Sequence, residues 1–538
     1  MEEVMKILVS DDVSEKGVEL LRQNGYTVDV ETNLDEEQLA ERIGEYDGLI
    51  TRSMTHVTAK VIEKAKKLKI VGRAGVGIDS IDLKAATARG IIVVNAPTSN
   101  TIAATEHTCA MILAVTRHIP QAHDSLMSGE WNREKFTGIQ LKDKTMGIIG
   151  VGRIGSRIAK RMQAMEMRTI GYDPYIPEER GKQLNCELVD LDTLLRESDY
   201  ITLHTPLTKE TRGMIGAEEI AKMKDGVRVI NVSRGAVLDI NALAEALKSG
   251  KVAGAAVDVF PEEPLTSDIN PFKGMDNVVI TPHLGASTVE AQEGVSLDVA
   301  RSIMAGLKGE PVPTAVNMAP IAPGVYSTIR PYFDLMERMG IMGVYLAEAP
   351  MKEITVEYSG KLAETETALL TTAVLKGALN PILQDAVNFV NAPDLAKQRH
   401  ISVKEVKTSD HGNFVDAVTV RIVTAKGEHK VVGSLFNQTE AKIVQIDEYR
   451  VDFKPENYLL LAPHIDQPNM IGQIATVLGE AKINITGMQV GNMTQKGTNI
   501  MAVAVEDDIP NDVMVKLRSI NGILDMKLIH CEPNQQEA

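Results

Sequence analysis

Cysteine is scarce. The 538 residues include only Cys109, Cys186 and Cys531, an odd number with no CxxC spacing. That excludes a disulfide framework and a cysteine-based zinc site, and no metal is expected. Aromatic residues make up 4% of the chain, with a single tryptophan, so any core must be aliphatic, as in α/β proteins. Long apolar runs are missing too: none approaches the ~18 residues of a membrane span. Ile7-Leu8-Val9, behind an acidic start, is too short for a signal-peptide core. Positive charge is in deficit, since 57 Lys+Arg against 73 Asp+Glu leave a net charge of −16. Nucleic acid and anionic membranes need a basic surface, so neither is expected as a partner. A reduced, cytoplasmic protein is expected.

What remains is ordinary globular composition, 44% hydrophobic and 24% charged. At roughly 150 residues per domain, the length implies three or four domains. The first 300 residues alternate short β-branched runs with amphipathic stretches. One series runs Ile7–Ser10, Tyr26–Val30, Gly48–Thr51, Ile70–Arg73 and Ile91–Asn95. A long helix from about Ser99 to Ile119 leads to a second series, from Thr145–Ile149 to Val278–Ile280. Strands alternating with helices imply parallel, doubly wound sheets. One sheet would be too wide, so two lobes are expected. Pro- and Gly-rich segments within 309–324 read as a linker. Beyond them, strand-like Glu353–Tyr358, Val418–Thr424 and His429–Ser434 frame a helical Glu364–Val390. The last segment, Tyr458–Ile529, reads strand, helix, strand, strand, helix, strand, the order of a ferredoxin-like unit.

Gly150-Val151-Gly152-Arg153-Ile154-Gly155 follows a strand and opens a helix. Its glycines permit a tight turn and close approach of a pyrophosphate to the helix N-terminus. Asp173 ends the next strand, where an acid accepts hydrogen bonds from adenosine ribose hydroxyls and repels a 2′-phosphate. A dinucleotide site preferring NAD to NADP follows. Three further strand ends carry chemistry. Asn231–Ala236 contains Arg234, Asp258–Pro264 contains Glu263, and Thr281–Ala286 contains His283. Each alone is unremarkable: an ion-pairing Arg, a polar loop, a surface His. Together they supply a carboxylate clamp, an orienting acid and a general base, the set that hydride removal from a hydroxy acid needs.

These segments, with Pro282–Thr288, resemble the motif set of the D-2-hydroxyacid dehydrogenases, and the resemblance covers the whole chain through the long-form members. It implies two doubly wound Rossmann-like lobes, an intervening α+β domain and a C-terminal ferredoxin-like (ACT) domain. The implied boundaries are a substrate lobe of 1–98 plus 289–318, an NAD lobe of 99–288, an intervening domain of 319–452 and an ACT domain of 453–538. The implied reaction is NAD-dependent oxidation of 3-phospho-D-glycerate to 3-phosphohydroxypyruvate, opening L-serine biosynthesis. Another D-2-hydroxyacid dehydrogenase, or a non-enzymatic NAD-sensing interaction protein on the same scaffold, are the alternatives.

By the same resemblance, Arg234 binds the substrate carboxylate, His283 takes the C2 hydroxyl proton, and Glu263 orients the imidazole. Implied NAD contacts are Gly150, Gly152, Arg153, Ile154, Gly155, Asp173, Thr205, Val232, Ser233, Arg234, Asp258, His283, Leu284, Gly285 and Ala286. Gly75 and Val76 lie beside substrate and nicotinamide; Val76 departs from relatives with Thr there. Arg52, Ser53, Arg73 and Asn100 are expected to face the substrate, the two arginines suiting a dianionic phosphate. Arg133, near Trp131, either reaches a neighbouring subunit's site or is a plain surface residue. His464, Asp466 and Asn484 mark an L-serine effector site on the ACT unit of a homo-oligomer, dimer or tetramer. Asn469 replaces the usual glycine of that unit's first turn and tolerates a left-handed backbone. His107 reads as a satisfied packing histidine, and His204 as a cleft-lining residue without chemistry.

Overall fold

The computed structural model describes residues 4–310, 312–321, 324–383, 387–409, 415–437, 439–493 and 497–533. Its first lobe is a five-stranded sheet, in the order Thr27–Val30, Lys6–Val9, Gly48–Thr51, Ile70–Arg73, Ile92–Asn95. The second lobe has seven strands, in the order Val278–Ile280, Val252–Val257, Val227–Asn231, Tyr200–Leu203, Thr145–Ile149, Arg168–Tyr172, Glu187–Leu188. Every pairing in both is parallel. Gly48–Thr51 and Thr145–Ile149 are buried at every position, as parallel strands covered by helices on both faces must be.

The chain passes between the lobes twice. Helix Thr101–Arg117 buries Met111, Ile112 and Val115 in the second lobe's core. Helix Val289–Leu307 returns to bury Val295, Val299 and Ile303 in the first. The single helix expected from Ser99 to Ile119 is shorter, because His118 turns left-handed at φ 54° and a second helix, Ile119–Met127, starts behind it. Residues 314–317 then run back along the open edge of the first sheet. Ala315 bridges Val94, and Asn317 bonds Val93 N–H and Ile91 C=O. The edge strand is thereby covered. Pro311, Ala322 and Pro323 of the expected linker lie outside the described residues.

The remainder forms one ten-stranded sheet. The C-terminal strands take the spatial order Ile485–Met493, Thr498–Val505, Tyr458–Ile465, Lys527–His530, with helices Met470–Glu480 and Asn511–Arg518, which is the ferredoxin-like arrangement. They join the preceding sheet edge to edge, through pairing of Tyr449 with Met493 and Arg450 with Asn492. Three strands of this sheet were not expected from sequence: Ser402–Thr408, Glu440–Ile446 and Tyr449–Phe453. Ser402–Thr408 is an edge strand exposed at almost every position, so no apolar alternation marks it. The helix expected over Glu364–Val390 is observed at Ala368–Leu383, and residues 384–386 lie outside the described residues. Leu369 to Asn380 are all buried, so no amphipathic period signals its ends.

Candidate active site

The two lobes face each other across a cleft of about 940 Å³. The cofactor side is set by the turn after Thr145–Ile149. Gly150 holds φ 90°, which an L side chain rarely adopts. A Cβ on Gly155 would lie 2.1 Å from Gly150 O, so only glycine lets the helix start against the strand. A Cβ on Gly152 would meet nothing within 4 Å, leaving that side of the turn open to a ligand. Asp173 accepts from Val151 N–H (3.0 Å) and Tyr175 N–H (3.0 Å), which fixes its carboxylate beside the turn. Thr205 Oγ1 is buried without a hydrogen-bond partner. A buried orphan hydroxyl beside an open glycine turn fits a dinucleotide. Arg153 instead donates to Pro97 O (3.1 Å), and Ile154 occupies the helix N-cap. Ser233 is tied to Asn231 Oδ1 through both N–H and Oγ.

His283, Glu263 and Arg234 all line the cleft. His283 Nδ1 lies 2.8 Å from Glu263 Oε2, while Glu263 Oε1 accepts from Phe260 N–H (3.0 Å). A carboxylate only accepts, so the imidazole proton sits on Nδ1 and Nε2 carries the lone pair. Burial pushes the Glu263 carboxyl up, but the bonds from His283 and Phe260 outweigh it and hold it below its usual range.

Asp258 anchors the loop that carries His283. It is fully buried, with Oδ1 accepting from Leu284 N–H (2.8 Å) and Oδ2 from Gly285 N–H (2.9 Å). Thr281 Oγ1 and His107 Nε2 complete its shell. Burial raises this carboxyl, and its hydrogen bonds more than reverse that. Asp258 therefore shapes the loop that carries His283, Leu284, Gly285 and Ala286. His107 is satisfied, and its partner is the acid that organises this loop, a link that sequence reasoning missed because 151 residues separate them.

On the opposite wall, Arg52, Ser53, Arg73, Gly75, Val76 and Asn100 line the same cleft. Asp11, 5% exposed, holds the Arg52 loop by accepting from Arg52 N–H, Thr55 N–H and Thr55 Oγ1. Arg73 Nε and Asn100 Oδ1 are buried without partners. Burial pulls the Arg73 guanidinium down to about 10, with repulsion from Arg234 and Arg52 acting in the same direction. Arg52, Arg73 and Arg234 thus converge on a cleft that the carboxylates of Asp12, Asp79, Glu262 and Glu263 also line.

Residues 109–285 match the family model "D-isomer specific 2-hydroxyacid dehydrogenase, NAD binding domain", and residues 328–447 match "D-3-phosphoglycerate dehydrogenase intervening domain". The chain is 43% identical over 523 residues to the D-3-phosphoglycerate dehydrogenase of Archaeoglobus fulgidus, covering 97% of this chain and 99% of that one. Against the Methanocaldococcus jannaschii enzyme of the same name, identity is 44% over 528 residues, 98% of this chain and all of the relative. The chain belongs to the D-3-phosphoglycerate dehydrogenase family. It is an NAD-dependent oxidoreductase. Among solved structures, D-lactate dehydrogenase from Aquifex aeolicus, complexed with NAD and lactic acid, is 30% identical with a TM-score of 0.52, covering 57% of this chain and 96% of that one. The Escherichia coli D-lactate dehydrogenase apo-structure gives 30%, 0.52, 58% and 100%.

For this family member the expected effector residues do not meet within one chain. His464 is buried, its Nδ1 2.9 Å from Ala462 O, and it pairs with Asn499 near one end of the sheet. Asp466 lies just beyond, exposed. Asn484 sits at the other end, donating to Glu506 Oε2 (3.0 Å). Asn469 adopts φ 70°, the left-handed turn its position requires. Among the described residues no helix is long and apolar enough to cross a membrane, and no three His, Cys, Asp or Glu side chains cluster to hold a metal.

His204 carries a pH prediction. Its Nε2 lies 2.8 Å from Thr202 Oγ1, and burial pushes its imidazole down to about 3. The unfolded chain takes up this proton below about pH 6.5 and the folded chain does not. Stability is therefore lost as pH falls from 6.5 towards 3. His204→Gln flattens that part of a melting-temperature profile; an unchanged slope refutes the neutral assignment.

Proposed function

We propose that the protein oxidises the C2 hydroxyl of 3-phospho-D-glycerate to 3-phosphohydroxypyruvate, the first step of L-serine biosynthesis. The observation that carries this is the His283–Glu263 pair at 2.8 Å, opposite three converging arginines in one interlobe cleft. Arg234 binds the substrate carboxylate. His283 Nε2 takes the hydroxyl proton, and Glu263 neutralises the imidazolium that forms. Arg52 and Arg73 bind the phosphate, supported on their loops by Ser53, Gly75 and Asn100. NAD is held by the Gly150–Gly155 turn, Asp173, Thr205, Val232, Ser233 and the loop His283–Ala286, with Val76 against the nicotinamide. When bound, NAD supplies the acceptor for the C2 hydride. NADH formation across a panel of 2-hydroxy acids tests the reading. The expected result is a strong preference for 3-phosphoglycerate with NAD, and a narrower NAD/NADP gap for Asp173→Ala. Equal use of glycerate or lactate, or of NADP by the wild type, overturns it.

The boundaries 1–98 with 289–318, 99–288, 319–452 and 453–538 are part of this proposal, and the lobe crossings at Thr101–Arg117 and Val289–Leu307 support the first two. We also propose a cytoplasmic homo-oligomer, which three free cysteines suit. Helix Ile119–Met127 buries none of its residues, and Met127 and Trp131 are 75% and 80% exposed, an apolar face that a second copy would cover. L-serine is proposed to bind between two C-terminal units, since only two copies can bring an Asn484 to a His464 and Asp466. Calorimetry is expected to show serine binding to the wild type and weaker binding to Asp466→Ala/Asn484→Ala. Absence of binding, or equal binding, ends this proposal.

A further inference from the structure

Asp79 has no part in the reaction as derived above, yet it touches the residue that binds the substrate carboxylate. It follows strand Ile70–Arg73 in the first lobe, whereas Arg234 follows strand Val227–Asn231 in the second. Across the cleft, Arg234 Nε donates to Asp79 Oδ2 at 3.1 Å, and Arg234 Nη1 donates to Ser233 O at 2.7 Å. With Nε and Nη1 committed, the guanidinium cannot rotate freely, and Nη2 is the donor left to a carboxylate. Gly77 gives this arrangement its room: a Cβ there would lie 2.1 Å from Arg234 Nη2 and 2.8 Å from Asp79 Oδ2. Gly77 is not among the residues with positive φ, so space and not backbone conformation is what its missing side chain supplies.

We infer that Asp79 is a positioning residue for substrate binding, fixing Arg234 from the opposite lobe so that its free edge meets the carboxylate. The charge balance supports this. Arg73 and Arg52 face the same cleft, and three like charges repel one another unless an anion stands among them. Asp79 is that anion for Arg234 before substrate arrives. The pair is 27% and 54% exposed, and rim ion pairs of this kind contribute little to stability. A role in folding therefore does not account for it. The inference rests on the reading of Arg234 as the carboxylate-binding residue.

Steady-state kinetics of the full-length enzyme with 3-phosphoglycerate tests it, with NADH affinity by fluorescence and melting temperature as controls. Asp79→Ala is expected to raise KM roughly ten- to hundredfold, the range that one charge-assisted hydrogen bond carries, with kcat changed less. NADH affinity and melting temperature stay at wild-type values. Asp79→Asn keeps an acceptor oxygen for Nε but not the charge, and recovers part of the loss. Gly77→Ala displaces the Arg234 guanidinium and reproduces the Asp79→Ala pattern. A wild-type KM for Asp79→Ala, an Asp79→Asn variant as impaired as Asp79→Ala, or a parallel loss of NADH affinity or stability overturns the positioning role. Arg234→Ala separates the two layers. An unchanged KM in that variant sinks the carboxylate assignment itself, whereas a raised KM there with a normal Asp79→Ala sinks only this inference.

Discussion

His283→Asn is expected to bind NAD as the wild type does and to lose ~10²–10⁴-fold in turnover, the contribution typical of a positioned general base. The geometry explains both halves. His283 Nδ1 is committed to Glu263 at 2.8 Å, so Nε2 is the nitrogen of this ring left to accept the proton, and asparagine has no such base. The loop itself survives the change. His283 sits at φ 55°, a left-handed conformation that asparagine accepts readily. The loop is also anchored through backbone groups, with His283 N–H on Asp258 O (2.9 Å) and Leu284 and Gly285 N–H on the Asp258 carboxylate. None of these bonds uses the imidazole. NADH fluorescence titration and single-turnover kinetics check the two halves separately. Near-native turnover would remove His283 from the chemistry, and lost NAD binding would show that the loop had collapsed.

Arg73→Ala and Arg52→Ala carry the second large effect, on substrate choice. Each is expected to lower kcat/KM for 3-phosphoglycerate by ~1.5–3 kcal/mol in transition-state terms, about ten- to hundredfold. The loss for glycerate, which lacks the phosphate, is expected to be far smaller. Arg73 is the sharper test. Its Nε is buried without a partner, and burial with two neighbouring guanidiniums already pulls it down to about 10. A cation kept in so unfavourable a place is stabilised by an incoming dianion more than by a monoanion. Its removal also relieves repulsion within the free protein, so melting temperature should not fall in step with activity. Equal losses on both substrates would make these arginines structural or carboxylate-binding.

The order Gly150–Gly155, Asp173, Arg234, Glu263, His283 along the chain was enough to read an NAD-dependent dehydrogenase, because each motif sits at the end of a strand. In a parallel sheet, strand ends of one polarity share an edge, so their convergence follows from local pattern alone. The two lobes were legible for the same reason, since buried parallel strands appear as short continuous apolar runs. The exposed strand Ser402–Thr408 and the ends of helix Ala368–Leu383, buried throughout Leu369–Asn380, were not legible, because neither carries a periodic apolar face. Sequence alone does not show that Asn484 lies at the opposite end of the C-terminal unit from His464 and Asp466, because that separation is set by strand pairing.

What the sequence determined by itself is chemistry written in local spacing: the glycine turn, the acid behind it, and the base with its carboxylate twenty residues away. Tertiary structure decided everything that depends on two distant segments meeting. It put His107 against Asp258, made Asp258 the post that holds the His283 loop, and set Asp79 of one lobe on Arg234 of the other. It also joined the two C-terminal modules into one sheet by pairing Arg450 with Asn492. The physical reason is range. Strand and turn propensities act over a few residues and leave a pattern in the chain, whereas a hydrogen bond across a cleft acts over about 3 Å in space and leaves none in the order of residues.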